Sequence, residues 1–369
     1  MLQIRQNSLE YIFKEYPRIV LFGAGCITDI MFEAYREFAF EKKIDYIIDN
    51  DQSKDGKLLN INGKEIQLIS IENFAKLNYR DYALIIMPVF LLDIVKQIDR
   101  LAIFNRVPTY IYAFLMNLNR KRQIPIRCME ERKIPKIIHY CWFGGKPLPE
   151  TYQENIRSWK TNCPDYEIVE WNEANYDVKK NLFMYQAYER KQWAFASDYA
   201  RKDIVYNYGG IYLDTDVEVF KPLDDLLCND CFLCMDDIAN VNTGSGFGAV
   251  KGNELVRALR DDYDNRAFIN RHGEIIGKAC GNYETAVAVK YGYRPENEYQ
   301  RINGGGVVFP REVLCPISWI GMPDVYTENT LTVHKYDDLL IDNQGKEKSH
   351  IQRLEIEELY TRAVEELAG

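Results

Sequence analysis

The most constraining feature of the chain is that short apolar runs alternate with helix-forming segments. Residues 18–25 (RIVLFGAG) are an apolar run that ends in glycines, and a helical pattern follows over Cys26–Phe38. Ile44–Ile48 and Leu84–Met87 are further apolar runs, the latter after another helical segment. Strands that alternate with helices in this way form a parallel sheet flanked by helices. The sequence therefore predicts a small Rossmann-like α/β domain over residues 1–116.

A second alternation of strands and helices begins at Ile134. Strands are expected at Ile137–Trp142 and Tyr166–Trp171, with a helix around Thr151–Thr161 between them. The segment before Ile134 is basic and irregular, and 369 residues exceed the ordinary size of one domain. The predicted organisation is the Rossmann-like domain over 1–116, a basic linker over 117–133, and an α/β domain over 134–369 that ends in a packing helix, Ile351–Leu367.

Charge and composition narrow the classes of partner and compartment. The net charge of −9 and the isoelectric point near 5.2 argue against a nucleic-acid partner, which needs clustered basic side chains. The N-terminal segment lacks the apolar core of a signal peptide, and the apolar stretch Tyr110–Met116 is too short to cross a bilayer. The nine cysteines fit reduced thiols. We therefore expect a cytoplasmic protein, for which the basic linker leaves peripheral contact with the inner face of the plasma membrane open.

Cys228, Cys231 and Cys234 form a C-x2-C-x2-C run that has two interpretations. Such a run can hold a metal ion or an iron–sulfur cluster. Because no fourth ligand follows nearby in the sequence, we favour the alternative, a buried strand at Cys231–Met235 whose thiols act as small apolar groups.

The glycine loop of the first domain also leaves two alternatives open. Gly23-x-Gly25 matches the start of G-x-G-x-x-G, but Thr28 stands in the place of the third glycine. Asp49 ends the second strand, where a ribose-binding acid would be. The domain could bind a nucleotide or nucleotide sugar, or it could be structural with an empty cleft. An NAD-linked oxidoreductase is a rival hypothesis, but it leaves the second domain without a role.

Two acidic residues stand where a short strand of the second domain ends. Gly210–Leu213 is expected to be this strand, after a helix that stops at glycine, and Asp214-Thr215-Asp216 follows it. Residues two apart on a strand share a face, so Asp214 and Asp216 can point at one metal ion while Thr215 points away. A divalent cation offsets the charge of a leaving nucleoside diphosphate. The triplet therefore predicts a metal site that serves nucleotide-sugar chemistry.

Asp198 and Arg201 lie on the preceding helix, three residues apart and therefore on one face. If they are buried, they could hydrogen-bond sugar hydroxyls and a phosphate. The alternative is a surface ion pair worth less than about 1 kcal/mol.

Three ordered segments together resemble a known family. They are IPKIIHYCWFGG at 134–145, SW and PDYEIVEWNE between 158 and 173, and ASDYARKDIVYNYGGIYLDTDVEVFKPLDDLL at 196–227. These segments resemble the D-x-D sugar transferases of glycosyltransferase family 32 and its relatives, which include bacterial capsular-polysaccharide transferases. The resemblance implies a GT-A fold for the second domain. It further implies metal-dependent, retaining transfer of a hexose from a nucleotide sugar, with uridine diphosphate favoured, to a growing surface glycan such as capsular polysaccharide or lipopolysaccharide, which could be lipid-linked.

The same resemblance assigns roles to individual residues. Contacts to the donor nucleotide are assigned to His139, through its backbone, and to Trp142, Ser197, Tyr212 and Thr215, with Trp142 against the base. The catalytic set, which grips the donor sugar and holds Mn²⁺ or Mg²⁺, is assigned to Asp198, Arg201, Asp214 and Asp216.

The chain departs from the family near the end of the second domain. Members of the family carry a motif there that resembles H-x-x-x-x-S-W. In this chain His334 is followed by Leu339 and Leu340, which stand in place of the serine and the tryptophan. His334 and Asp338 are further candidate metal ligands. The lost Ser-Trp pair leaves open a different class of function, a sugar-nucleotide-binding regulatory protein without transfer activity.

Overall fold

The structure of the protein is a computed structural model that describes residues 4–78, 80–101, 105, 107–117, 124, 126, 131–336 and 343–365. Within these ranges the chain forms two large sheets and one two-stranded sheet, and helices separate many of the strands along the chain. The predicted α/β fold class is therefore confirmed. Residues 118–123, 125 and 127–130 of the predicted linker lie outside the described residues.

The first sheet is built from the N-terminal part of the chain. Its strands are β1 (Ile4–Arg5), β2 (Arg18–Phe22), β3 (Ile44–Ile48), β4 (Leu58–Ile61), β5 (Lys64–Ile69), β6 (Tyr82–Ile86) and β7 (Thr109–Ile111). Among the described residues they stand in the order β1-β7-β6-β2-β3-β5-β4, and neighbours are parallel except for β4 and β5. The helices of this part are α1 (Leu9–Glu15), α2 (Cys26–Ala34), α3 (Ile71–Phe74), α4 (Leu91–Arg100) and α5 (Tyr112–Met116). The central strands β2 and β6 are apolar and almost wholly buried, as expected inside a parallel sheet.

Helix α2 ends earlier than the sequence predicts. It stops at Ala34, and Arg36–Phe38 forms a separate 3₁₀ turn. Ala39 follows with a φ of 49°, a left-handed conformation that a right-handed helix cannot contain. The resulting change of direction brings Phe40 into the core, where its ring stacks on Phe13.

The glycine loop after β2 makes contacts within the chain. A side chain at Gly23 would place its Cβ 2.7 Å from Cγ of Pro88, so close packing already explains this glycine. The Asp49 carboxylate accepts hydrogen bonds from the backbone N–H of Ala24 at 3.1 Å and from Nζ of Lys54 at 2.9 Å. These contacts are those of the structural alternative, and nucleotide binding by this part of the chain stays a prediction.

The second part of the chain forms the other sheets. Its strands are β8 (Ile137–Cys141), β9 (Glu167–Trp171), β10 (Gly210–Tyr212), β11 (Val217–Val219), β12 (Cys231–Cys234), β13 (Phe247–Ala249), β14 (Gln300–Ile302), β15 (Gly306–Phe309) and β16 (Thr332–His334). In the part that the structure describes, the large sheet has the order β14-β15-β12-β13-β10-β8-β9, while β11 and β16 pair antiparallel. The helices are α6 (Glu150–Asn162), α7 (Leu182–Glu189), α8 (Trp193–Tyr208), α9 (Glu254–Asp261), α10 (Cys280–Lys290), α11 (Arg311–Leu314) and α12 (Asn343–Glu365).

Two glycines set the path from α8 into β10. Helix α8 ends at Gly209, as predicted, and both Gly209 and Gly210 have positive φ, 72° and 100°. A Cβ at Gly210 would lie 2.8 Å from the carbonyl oxygen of Ile137 on β8. Glycine is therefore required here both for the backbone conformation and for the close approach of β10 to β8.

The C-terminal helix α12 packs against the first sheet. The ring of Tyr360 meets Phe114 edge to face with centroids 5.1 Å apart, and Ile356 is buried in the same apolar cluster as β2, β6 and α4. Nζ of Lys96 on α4 pairs with Glu355 at 2.7 Å. The N-terminal and C-terminal parts of the chain therefore share one core, while the predicted domain boundaries stay a prediction.

No helix in the described ranges is long and apolar enough to cross a membrane.

Helix α6 fixes the segment that follows the D-x-D triplet. The buried indole N–H of Trp159 donates to the carbonyl oxygen of Val217 at 2.8 Å, and Nδ2 of Asn155 donates to the carbonyl oxygen of Thr215 at 2.9 Å. Oγ of Ser158 accepts from the backbone N–H of Val219 at 3.0 Å. The helix therefore holds the strand β11 by its backbone, whatever side chains β11 carries.

We predict that Trp159→Phe lowers the free energy of unfolding by about 1–3 kcal/mol, because it removes a buried hydrogen bond and leaves a cavity. Urea denaturation followed by circular dichroism measures the change. The matched control is Trp193→Phe at a partly exposed tryptophan, which should cost less. Equal losses for the two variants would show that Trp159 does not anchor β11.

Candidate active site

Two acids and one histidine from distant parts of the sequence meet at the ends of β10 and β16. Asp214 and Asp216 lie in the turn between β10 and β11, and the pairing of β11 with β16 sets Val217 opposite His334. Asp214, Asp216 and His334 each offer one ligand atom, and these atoms lie within 4.8 Å of one another. Nε2 of His334 is 3.1 Å from Oδ1 of Asp216. The geometry is that of a three-ligand cation site.

Arg201 faces this cluster from helix α8. Its guanidinium donates to Oδ2 of Asp214 at 3.0 Å and also contacts the carboxylate of Asp198. Arg201 and Asp198 are 2% and 5% exposed, so the surface ion pair considered from the sequence is wrong and the buried alternative holds. Burial raises the pKa of the Asp214 carboxyl, an effect that Arg201 opposes. The buried arginine therefore links the buried Asp198 to the partly exposed Asp214.

The phenol of Tyr212 completes the surroundings of Asp214. Its hydroxyl donates to Oδ1 of Asp214 at 2.8 Å, while the ring is buried at the end of β10. Both oxygens of Asp214 are thus hydrogen-bonded, yet 28% of the Asp214 side chain is exposed to solvent. The side chain of Asp216 is 16% exposed. A ligand arriving from solvent can reach the two acids while their protein contacts hold them in place.

The chemistry of the three side chains fits a divalent cation. Carboxylate oxygens are preferred by Mn²⁺ and Mg²⁺, and an imidazole nitrogen is an additional ligand that transition metals accept. Burial lowers the pKa of His334, whereas the charge and the hydrogen bond of Asp216 raise it. The net result is a pKa well above the usual value. When a proton occupies the site, His334 is therefore positively charged and pairs with the Asp216 carboxylate. A bound cation would take the place of that proton.

The loop 242–245 closes the cluster from the other side, and the sequence assigned it no role. The backbone N–H of Asp214 donates to the carbonyl oxygen of Gly244 at 3.1 Å. A Cβ at Gly244 would lie 2.3 Å from Oδ2 of Asp214, so only glycine fits. Oγ of Ser245 lies 2.8 Å from Nδ1 of His334. The glycine-rich NTGSGFG segment was the visible signal, but such a segment suits an ordinary turn equally well.

The side chain of His139 is occupied inside the protein. Its Nε2 bonds to the carbonyl oxygen of Gly209 at 2.8 Å, and its Nδ1 accepts from the indole N–H of Trp171 at 3.1 Å. Burial lowers the pKa of His139 to about 4, so the ring is neutral. Its backbone carbonyl oxygen accepts from the backbone N–H of Leu213 at 3.1 Å, and the nucleotide contact of this backbone stays a prediction.

The other predicted nucleotide contacts come from the ends of β8 and β10 and from helix α8. Trp142 follows β8, is partly buried, and donates its indole N–H to the carbonyl oxygen of Lys146 at 2.6 Å. Oγ of Ser197 donates to the carbonyl oxygen of Ala194 at 2.7 Å, and Thr215 is held by Asn155 as described above. The nucleotide roles of Trp142, Ser197, Tyr212 and Thr215 stay predictions. Asp338 lies outside the described residues.

The cysteine run does not form a metal site. Cys231 and Cys234 are buried on β12, and Cys228 is half-buried, with its thiol near the carbonyl oxygen of Asp225. In the portion of the chain that the structure describes, a group of three His, Cys, Asp or Glu side chains close enough to share an ion is found at Asp214, Asp216 and His334. This group includes no cysteine. The strand alternative for the cysteines is therefore the one that the structure shows.

Part of the chain around the D-x-D triplet is similar to known proteins. Residues 149–233 match the family described as Glycosyltransferase sugar-binding region containing DXD motif. Inositol phosphoceramide mannosyltransferase 1 of Schizosaccharomyces pombe is 32% identical over 28% of this chain and 34% of its own length. Inositol phosphoceramide mannosyltransferase 3 of the same yeast is 37% identical over 26% of this chain and 27% of its own length. The chain thus spans about a third or less of these curated relatives.

Among solved structures, the PaToxG Glycosyltransferase covers 43% of this chain and 69% of its own chain, with 18% identity and a TM-score of 0.33. The fold assignment rests instead on the sheets described above. The second sheet places the Asp214-Thr215-Asp216 triplet at the end of β10, between β13 and β8, and it is of the predicted GT-A type, preceded by the Rossmann-like α/β unit. Residues 149–233, with the DXD triplet at 214–216, are therefore similar to the family of glycosyltransferase sugar-binding regions that contain a DXD motif.

Proposed function

We propose that the chain transfers a hexose from a nucleoside diphosphate sugar to an acceptor hydroxyl, and that this reaction depends on a divalent cation. The observation that carries the proposal is the convergence of Asp214, Asp216 and His334 within 4.8 Å beside the buried Arg201. Asp214, Asp216 and Arg201 lie within the matched sugar-binding region. His334 lies outside it in the sequence, and the pairing of β16 with β11 brings it back to the cluster.

The cation would be held by Asp214, Asp216 and His334, with Mn²⁺ favoured because the set includes an imidazole. It supplies positive charge to offset the charge of the leaving diphosphate. The chain's own contribution is to hold the acids in one place. Arg201 and Tyr212 fix the two oxygens of Asp214, and the β11–β16 pairing fixes His334 against Asp216.

Arg201 and Asp198 are proposed to bind the donor sugar and the adjoining phosphate. A guanidinium that is already fixed by two carboxylates needs no reorganisation when a phosphate oxygen or sugar hydroxyl approaches. Trp142 is proposed to lie against the base, where an aromatic face contributes about 1–3 kcal/mol per stacked base. Transfer with retention of the anomeric configuration is part of the proposal, on the family resemblance stated above.

The donor and acceptor are proposed from two sources. The family resemblance favours uridine diphosphate as the nucleotide, and the names of the yeast relatives specify mannose as the sugar. Those names also specify a ceramide lipid as acceptor. We propose a glycan or lipid-linked acceptor at the cytoplasmic face of a membrane, with capsular polysaccharide or lipopolysaccharide as the surface glycan that it extends.

We predict that Asp216→Asn lowers Mn²⁺-dependent release of nucleoside diphosphate by at least about 100-fold, since a lost cation ligand removes several kcal/mol of charge stabilisation. Release is measured on a donor panel that includes UDP-glucose, UDP-galactose, UDP-N-acetylglucosamine and GDP-mannose. Circular dichroism checks that the variant is folded.

The matched control for Asp216→Asn is Asp230→Asn, which makes the same chemical change at an exposed aspartate paired with Lys133. The control should retain full release. Normal turnover by Asp216→Asn would show that the cation assignment is wrong, and binding of donors by the wild-type protein without any release would favour the regulatory alternative.

We predict that Arg201→Lys weakens binding of the whole nucleotide sugar by about 10-fold or more, because lysine keeps the charge but cannot bridge two carboxylates and also donate to a sugar hydroxyl. Binding of the bare nucleoside diphosphate should change much less. Isothermal titration with the donor and with the nucleotide gives the two dissociation constants. An equal loss for both ligands would contradict a role in sugar recognition.

A further inference from the structure

Ser245 contacts the nitrogen of His334 that faces away from the acids. Its Oγ is 2.8 Å from Nδ1, whereas Nε2 of the same ring is 3.1 Å from Oδ1 of Asp216. Ser245 is fully buried and His334 is 7% exposed. The imidazole is therefore held at both nitrogens, with one directed at a hydroxyl and the other at the candidate cation site.

The direction of the Ser245 bond follows from the chemistry of imidazole. A neutral ring that binds a cation through Nε2 must carry its proton on Nδ1. Oγ of Ser245 is placed to accept that proton's hydrogen bond, which fixes the plane of the ring. When a proton instead occupies Nε2, the same bond persists, so Ser245 holds the ring in both states.

The loop that carries Ser245 is itself fastened to a buried ion pair. The backbone N–H and the hydroxyl of Thr243 donate to the Glu284 carboxylate, at 2.9 Å and 2.6 Å. Nζ of Lys202, on α8 next to Arg201, pairs with Glu284 at 2.7 Å, and both side chains are almost wholly buried. A buried, hydrogen-bonded pair of this kind tolerates little movement, because breaking it leaves an uncompensated charge. The loop therefore presents Ser245 from a fixed position.

Gly244 ties the same loop to the acidic triplet. Its carbonyl oxygen accepts from the backbone N–H of Asp214 at 3.1 Å, directly before Ser245. One short segment thus touches Asp214 through its backbone and His334 through its side chain. This segment therefore helps to set the spacing between Asp214 and His334.

We propose that Ser245 is a positioning residue that orients His334 for a divalent cation shared with Asp214 and Asp216. The inference rests on the cation site of the proposed function. Ser245 does not itself touch the cation or the substrate; it acts through the ring plane of His334.

The test compares Mn²⁺ binding by the full-length wild-type chain and by Ser245→Ala, using electron paramagnetic resonance titration with MnCl₂ alone and again with UDP or GDP. Loss of a partner that orients a ligand typically weakens metal binding by about 10–100-fold, so we expect at least a 10-fold rise in the dissociation constant. The nitrogen-15 imidazole signals supply a readout that is independent of activity. The sequence contains four histidines, so the signals of His334 can be assigned by substitution.

Ser318→Ala is the matched control, because Ser318 is also fully buried and its hydroxyl donates to a carboxylate, that of Asp237, which is outside the cation cluster. It should leave Mn²⁺ affinity unchanged. In Ser245→Ala, the Nδ1 signal of His334 should shift to that of a nitrogen without a hydrogen bond, whereas Ser318→Ala should leave it unchanged.

The outcomes separate the two proposals. If the wild-type chain does not bind Mn²⁺ in either condition, the cation site of the proposed function is wrong. If the wild-type chain binds Mn²⁺ and Ser245→Ala binds it equally, or if Ser318→Ala loses as much affinity, the role of Ser245 is wrong while the cation site stands.

Discussion

The structure of the candidate site depends on how two like charges are held close together. Burial raises the pKa of the Asp214 carboxyl, and the nearby Asp216 carboxylate raises it as well. The chain opposes each carboxylate with a cation from a different direction, Arg201 from α8 and His334 from β16. The first of these cations is permanent. The second is an imidazole, whose positive charge depends on a bound proton.

The surrounding fold keeps these groups in place mostly through the backbone. Helix α6 binds carbonyl and amide groups on both sides of Val217, and the β11–β16 pairing holds His334 beside the triplet. The loop 242–245 closes the third side through Gly244. Because these contacts are made to backbone atoms, the topology positions the backbone of the acids, while Arg201, Tyr212 and His334 hold their side chains. An arrangement fixed before the ligand arrives is what electrostatic catalysis requires.

The sequence predicted the local elements and the central motif because both are encoded within short segments. The strands at 18–22, 44–48 and 137–141 and the stop of α8 at Gly209 follow from periodicity and glycine chemistry. Asp214 and Asp216 do lie close together, as predicted, but they do so in a turn and not on a strand face. The pairing of Arg201 with Asp214 was not predicted, although each residue was named. The distance between them is set by the packing of α8 on the sheet, which no local pattern encodes.

Other features were out of reach of the sequence for the same reason. Gly244 is a glycine because a side chain there would strike Asp214, thirty residues earlier in the chain. Ser245 meets His334 only after β16 has paired with β11. Helix α12 was predicted as a packing helix, but the surface on which it packs, the sheet at the opposite end of the chain, could not be read from its own amphipathic pattern.

The central claim is that Asp214, Asp216 and His334 share one divalent cation. Crystals grown with MnCl₂ and a nucleoside diphosphate, measured at a wavelength where manganese scatters anomalously, test it most directly. The account predicts an anomalous peak within about 2–2.5 Å of a carboxylate oxygen of Asp214 or Asp216 and of Nε2 of His334. An ordered nucleotide without a peak there, or a manganese peak ligated by other residues, would contradict it.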